Sequence, residues 1–317
     1  MTCYLSVDWG GTSFRAAVIR PGKKVEFCRK SAANIRTASF HQLELLAQSL
    51  FEDNLHGIND RIVWLIGAAG GADLLAARRV KEVFLELSPT NSVCEIFTDF
   101  VCNHASALGG KDGIISVNGT GSLLYADIGD TRIRKGGWGY LLDRSPSGSR
   151  FGLLVLRSVL EYLEGDKSRE KIYNSYLQQG FKGDKAEILD SLYQAENHQN
   201  YLGRFAEVLT CAYNNGDQLA ESLVKESFSF LGNDLAKLTD GFSEEIPLNI
   251  TGCGGLWQNW HGFSDLFAQM LNEQRRRFIL TRPVYKPVFG PLIHWGKNNS
   301  EGADIFAELP EEDKEHD

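Results

Sequence analysis

SVDWGGTSFRAAVI, residues 6–19, decides how the chain is read. A run of small and β-branched residues stops at Asp8, turns on Gly10, Gly11 and Thr12, and resumes as a second apolar run. Period-two patterning on both sides of a glycine turn reads as two strands of one sheet. Glycine lets backbone N–H groups converge, because no Cβ blocks them, and such turns form anion-binding concavities. The threonine hydroxyl adds a donor for a phosphate oxygen. Asp8 suits a magnesium ion held largely through water, since magnesium favours one or two carboxylates plus phosphates. Alone, a Gly-Gly-Thr turn is more often only a tight hairpin, so the rest of the chain must decide.

Working outward, residues 3–9, 14–20 and 25–30 read as three successive strands, the last two joined by hairpin chemistry at 21–24. A helix follows at about 40–55, a buried strand at 62–67, a helix at 72–87 and a strand at 93–98. This order predicts a mixed sheet with helices on its faces. The order then restarts. Residues 113–118 read as a strand, and 122–128 and 131–135 flank Gly129-Asp130, a hairpin signal. From 147 to about 240 the pattern is mostly helical, followed by a strand at 247–251 and a helix around 263–276. The first half turns at Asp8–Thr12, and the second turns at Asn118-Gly119-Thr120-Gly121-Ser122. Self-similarity within one chain predicts two related domains facing each other across a cleft. The expected limits are 1–112 and 113–300, with 301–317 as a disordered acidic tail.

The composition narrows the partners. The chain has 317 residues, 43 % hydrophobic, with a formal net charge of −8, which argues against nucleic acid or an anionic membrane surface as partner. No 18-residue apolar run is present, and the start has no basic stretch leading into an apolar core. The six cysteines share no C-x-x-C spacing. A reduced, cytoplasmic protein acting on a small molecule is expected, and the sequence leaves monomer or homodimer open.

Two glycine turns, one per half, suit the two ends of a triphosphate chain. A third cluster, Thr251-Gly252-Cys253-Gly254-Gly255, sits between a strand and a helix. Its plain reading is a connecting loop, and its functional reading is a bare surface for adenine or ribose at Gly252, Gly254 and Gly255. No P-loop motif is present, and no G-x-G-x-x-G opens a helix after a strand. Asp99 ends the strand at 93–98 and enters a helix. There it can be a general base for an attacking hydroxyl or simply a helix N-cap.

These residues, in this order, resemble the sugar-kinase, actin and heat-shock chaperone ATPase superfamily. The resemblance narrows with SAAN at 31–34, Thr98-Asp99, ISVNGTGS at 115–122, GGWG at 136–139 and DRSPSG at 143–148. Together they look like the N-acetylglucosamine kinase and BadF/BadG/BcrA/BcrD ATPase family, over roughly residues 2–260. The resemblance implies an α/β fold of two ribonuclease-H-like (actin-like ATPase) domains with mixed sheets flanked by helices. It implies ATP and Mg2+ in the interdomain cleft and phosphoryl transfer to an amino sugar, N-acetylglucosamine or glucosamine. By that likeness Asp8, Gly10, Gly11 and Thr12 hold the triphosphate, with Asp8 toward the metal. Gly119, Thr120, Gly121 and Ser122 hold the γ-phosphate side, and Gly252, Gly254 and Gly255 line the adenosine. Asn34, Gly137, Trp138 and Asp143 contact the sugar, and Asp99 is the base.

The chain also departs from the family. The loop after GGWG, residues 142–148, is shortened and contains Pro146. Ala68-Ala69-Gly70-Gly71 stands where related kinases often carry a serine before Gly-Gly. Lys135 precedes GGWG and leans toward an acetylated rather than a free amine. Two other readings compete: an ATPase that activates a partner enzyme, and a sugar- or nucleotide-binding regulator without turnover.

Overall fold

The computed structural model describes residues 2–10, 13–55 and 61–307. Two five-stranded mixed sheets organise two compact units.

Unit 1 comprises residues 1–112 and 282–317. Its strands are β1 (Cys3–Trp9), β2 (Ser13–Ile19), β3 (Glu26–Ser31), β4 (Ile62–Ala68) and β5 (Val93–Thr98), in the order β3-β2-β1-β4-β5. β1, β2 and β3 form an antiparallel meander, while β4 pairs parallel with both β1 and β5. The helices are α1 (Phe40–Asn54), α2 (Leu74–Glu86) and α3 (Asp99–Ala107). Alternation along the strands splits the core in two. Leu5, Val7 and Trp9 of β1, with Ile62, Trp64 and Ile66 of β4, pack among residues of α1 and α2. Tyr4 of β1, with Val63 and Leu65 of β4, faces the other way. Ser39 caps α1 reciprocally with Gln42, a capping box that fixes its start.

Unit 2 comprises residues 113–281. It begins with β6 (Gly113–Asn118), β7 (Ser122–Ile128) and β8 (Thr131–Gly136). Six helices follow: α4 (Gly148–Leu163), α5 (Glu170–Gln178), α6 (Lys185–Tyr193), α7 (His198–Gly203), α8 (Ala206–Asn214) and α9 (Gln218–Thr239). It ends with β9 (Leu248–Cys253), α10 (Gly255–Asn259), α11 (Gly262–Asn272) and β10 (Phe278–Leu280). The sheet order is β10-β9-β6-β7-β8, with β6 antiparallel to β7 and parallel to β9. Ile114, Leu124 and Ile250 of this sheet join one large core with Phe151, Val155, Leu231 and Phe263 of the helices.

The chain then returns to unit 1 as α12 (Gly290–Gly296) and α13 (Ser300–Ala307). This corrects the expected boundary at residue 300. Val288, Phe289, Leu292, Ile293 and Ile305 fill the second face of the first sheet against Tyr4, Val63 and Leu65. Leu292 donates its N–H to Ser6 Oγ at 3.2 Å, and Glu301 accepts from Tyr4 Oη and Arg61, both at 2.6 Å. Gly290 is required there, because a Cβ would stand 2.1 Å from the Cys102 carbonyl oxygen. The expected disordered tail is corrected for 301–307, which are helical because Ile305 is buried and Glu301 is paired. Residues 308–317 lie outside the described residues. No helix among the described residues is long and apolar enough to cross a membrane.

Candidate active site

In unit 1 the parallel strands β1, β4 and β5 all end on one edge of the sheet. The carboxyl ends of parallel strands are where open α/β sheets bind ligands. Asp8 stands there, opposite Arg15 on β2 and Gly67 on β4. Burial pushes its carboxyl above the usual carboxylate range, and the Arg15 charge only partly opposes this. Among the described residues no hydrogen bond offsets that desolvation. Asp99 opens α3 directly after β5. The cap position belongs to Thr98, so Asp99 is the first helical residue rather than the N-cap, with its charge in the favourable first turn.

Cys102 links the two acids. It is 3 % exposed on α3. Burial first, then the negative charges of Asp99 and Asp8, hold its thiol well above its ordinary pKa. Gly67 makes this convergence possible: a Cβ there would stand 2.7 Å from Cys102 Sγ, so α3 lies close against β4. Sequence reading missed both Cys102 and Gly67. A glycine inside an otherwise apolar strand was the available signal for a close approach. His104 is 1 % exposed on the same helix.

One desolvated carboxylate at a strand end fits a hard cation that keeps its waters and takes further oxygens from phosphates. Among the described residues no three His, Cys, Asp or Glu side chains gather into a protein-only cage. Gly10 lies at the end of β1, whereas Gly11 and Thr12 fall outside the described residues.

Asn34 forms a turn in the same unit, with its Oδ1 accepting from the Arg36 N–H at 3.0 Å. That oxygen also lies 3.4 Å from where a Gly70 Cβ would be, so Asn34 borders the Ala68–Gly71 loop. One oxygen is thereby occupied, and the amide Nδ2 remains the side of Asn34 suited to a sugar hydroxyl.

In unit 2 the 119–121 turn is held by a saturated amide. Asn118 is fully buried. Its Oδ1 accepts from Ser116 Oγ at 2.7 Å and from Trp257 Nε1 at 3.0 Å. Its Nδ2 donates to Ser122 Oγ at 3.1 Å and to the Pro146 carbonyl at 2.9 Å. That uses the full capacity of an amide. Ser122 Oγ thus takes part in the bracket as an acceptor. The start of α4 braces the turn further: Gly148 N–H donates to the Gly119 carbonyl at 2.8 Å and Ser149 N–H to the Thr120 carbonyl at 3.0 Å. Gly119 N–H bonds across the turn to the Gly121 carbonyl. The N–H groups of Thr120 and Gly121 have no partner among the described residues, and Thr120 is exposed. They are the donors this turn offers an anion.

Two of the three glycines expected to line an adenosine are closely packed by the protein itself. The Trp257 ring covers Gly252, where a Cβ would fall 1.9 Å from it. Gly254, at φ +111°, presses on the Asn118–Gly119 backbone, with a Cβ position 2.6 Å away. Both serve internal packing, because their missing side chains let α10 and its tryptophan close on β6. Gly255 alone keeps an uncrowded face, its nearest neighbour being Asn259 Nδ2 at 3.6 Å. Trp257 was missed from the sequence; nothing local distinguishes it from an ordinary helix aromatic.

The GGWG loop is also in unit 2. Gly136, Gly137 and Gly139 all have φ between +70° and +95°, which L-residues rarely adopt. Asp143 accepts from the N–H groups of Trp138 at 3.1 Å and Gly139 at 2.9 Å. Burial raises its carboxyl, with those two bonds opposing. Asp143 therefore shapes the loop, each of its oxygens keeping further acceptor capacity. Trp138 is presented outward, 69 % exposed.

No family model matches the chain. It is 21 % identical over 300 residues to an N-acetylmuramic acid/N-acetylglucosamine kinase of Clostridium acetobutylicum, a match covering 92 % of this chain and 98 % of that protein. A solved structure from Chromobacterium violaceum, of a protein proposed to be an N-acetylglucosamine kinase, superposes with a TM-score of 0.71 at 20 % identity, covering 92 % of this chain and 98 % of that one. A ROK family glucokinase from Streptomyces griseus, solved with glucose and AMPPNP, superposes with a TM-score of 0.56 at 14 % identity over 94 % of this chain and 99 % of that one. The fold is that of the actin-like ATPase sugar kinases, as the sequence resemblance implied.

Proposed function

We propose that the protein is an ATP-dependent carbohydrate kinase of the N-acetylglucosamine kinase family, and that it transfers the γ-phosphoryl group to a hydroxyl of an amino sugar. N-acetylglucosamine is the first acceptor to test and glucosamine the second. The observation that carries this reading is the pair of acids at one strand edge, Asp8 and Asp99, on a chain alike over its length to a curated amino-sugar kinase.

Phosphoryl transfer asks for positioning and charge stabilisation more than covalent chemistry. Asp99 would accept the proton of the attacking sugar hydroxyl as its oxygen bonds to the γ-phosphorus and the bond to the ADP oxygen breaks. Asp8 would hold Mg2+, which when bound neutralises charge on the phosphates. The N–H groups of Thr120 and Gly121 would receive phosphate oxygens, and Gly10, Gly11 and Thr12 would do so in the first half. Asn34, Gly137, the outward Trp138 and Asp143 would meet the sugar, Asp143 while also keeping the loop in shape.

The activator reading needs cysteines grouped around an iron–sulfur cluster. The six cysteines here are scattered, and burial pushes the Cys3 thiol up to about 11 and that of Cys94 up to about 12. A non-catalytic regulator finds little support while Asp8 and Asp99 both stand in place. The test is ADP release with ATP and Mg2+ against N-acetylglucosamine, glucosamine, N-acetylmannosamine, N-acetylmuramic acid and glucose, beside a control without sugar. Stimulation by an amino sugar is expected. Release independent of every sugar would overturn the kinase reading in favour of a coupled ATPase.

A further inference from the structure

A cavity of about 360 Å3 in unit 2 is separate from the glycine turns. Its wall carries four guanidiniums, Arg144, Arg150, Arg157 and Arg169, against two carboxylates, Glu161 and Glu226. In a chain of net charge −8, this is a local excess of positive charge. Both carboxylates face guanidiniums, although Glu161 Oε2 is buried without a hydrogen bond among the described residues. Glu161 pairs with Arg157 at 3.2 Å and Arg169 at 2.7 Å, and Glu226 faces Arg144 at 3.9 Å.

Arg150 differs from the other three. Its Nε is buried and has no hydrogen-bond partner among the described residues. Burial lowers its pKa, and the charges of Arg144 and Arg157 act in the same direction, with Glu226 opposing. A half-buried guanidinium with an unpartnered Nε beside other cations is relieved by an anion that offers two coplanar oxygens, which phosphate does. The cavity is much larger than one phosphate group, and leucines form part of its wall, so it has room for a small carbon skeleton as well.

We propose that this cavity is a second binding site, for a small phosphate monoester, with Arg150 as the principal contact and Arg144 and Arg157 beside it. Arg150 lies in the first turn of α4. The two preceding residues, Gly148 and Ser149, donate to the carbonyls of Gly119 and Thr120. Occupancy at Arg150 therefore bears on the helix end that braces the 119–121 turn. The binding claim does not depend on the kinase reading.

Isothermal titration of inorganic phosphate and glucose 6-phosphate, at low ionic strength, into the full chain and its Arg150→Gln and Glu226→Gln variants tests it. Glucose 6-phosphate should bind the unaltered protein more tightly than phosphate does. Arg150→Gln should weaken it at least tenfold, and Glu226→Gln, which removes a negative charge from the wall, should tighten it severalfold. No binding of either probe, or an affinity unchanged by Arg150→Gln, overturns the site. Equal affinity for the two probes overturns the assignment to an ester. Should Arg150→Gln fail to fold, Glu226→Gln decides: an unchanged or weaker affinity there overturns the proposal.

Discussion

The two sheets are built to one plan and finished differently. Each is an antiparallel meander of three strands whose first strand pairs parallel with a fourth, which pairs parallel with a fifth. Among the described residues between the third and fourth strands, unit 1 spends one helix, α1, and unit 2 spends six, α4 to α9. The sharper difference is one side chain near the end of each first strand. Asp8 is an acid pushed toward neutrality by burial, with no hydrogen bond to its carboxylate among the described residues. Asn118 is an amide with all four hydrogen-bonding positions filled. The same scaffold thus leaves a charge available in one unit and seals a bracket in the other. The first arrangement suits chemistry and the second suits holding a backbone turn still.

The comparison can be broken at either end. The largest effect belongs to the acid edge. Asp99→Asn should keep ATP and sugar affinity by calorimetry while kcat falls by about 10²–10⁴, the usual contribution of a general base. A variant near full turnover would remove Asp99 as base. Next comes the bracket. Asn118→Asp replaces two donated bonds with a carboxylate facing the Pro146 carbonyl and Ser122 Oγ, and should cost about 1–3 kcal/mol or more in urea unfolding. If stability were unchanged, the amide network would not be what holds the turn.

A comparable loss is expected from Gly252→Ala, whose Cβ would collide with the Trp257 ring. Overpacking of that kind costs about 1–3 kcal/mol. Adding Trp257→Leu should recover part of it, and a double variant less stable than the single would show that the clash lies elsewhere.

The smallest effect sharpens the comparison most. Asp8→Asn should raise the melting temperature of the ligand-free protein at pH 7, opposite in sign to Asn118→Asp. The direction follows from linkage. A carboxyl whose folded pKa is raised favours the folded state only when protonated, below its unfolded pKa. That contribution is lost as pH rises through the folded pKa. At neutral pH the acid is therefore a liability, and the advantage of Asp8→Asn should shrink as pH falls through the acid range. An advantage independent of pH would mean that burial of the charge is not its cause.

Much of this was legible in the residues. The strands at 3–9, 93–98 and 113–118 match the expected bounds, because period-two patterning between turn residues is a local property. The twin turns at 10–12 and 119–121 pointed to two similar sheets for the same reason. What escaped reading was long-range. Asn118 looked like one more turn residue, because its partners Pro146 and Trp257 lie 28 and 139 positions away. Gly252 was legible as bare backbone, but a glycine does not say what fills the space it leaves. The part Asp143 plays in its own loop also escaped reading, since its oxygens accept from N–H groups four and five residues earlier. The docking of 282–307 on the first sheet could not be read either, since its helices are short and their buried face is defined by residues far away in the chain, Tyr4, Ile19, Val63 and Leu65 among them.

That docking has a consequence for how the protein is made. On a ribosome, unit 2 is complete in sequence once residue 281 has emerged, while unit 1, begun first, still lacks the helices that cover one face of its sheet. The nascent first sheet has Ala105 of α3 beside Tyr4, Val63 and Leu65 but lacks Val288, Phe289, Leu292, Ile293 and Ile305 through the synthesis of an entire second unit. The unit that starts first therefore finishes last, and a ribosome that stalls before residue 282 leaves an apolar sheet face for chaperones to guard.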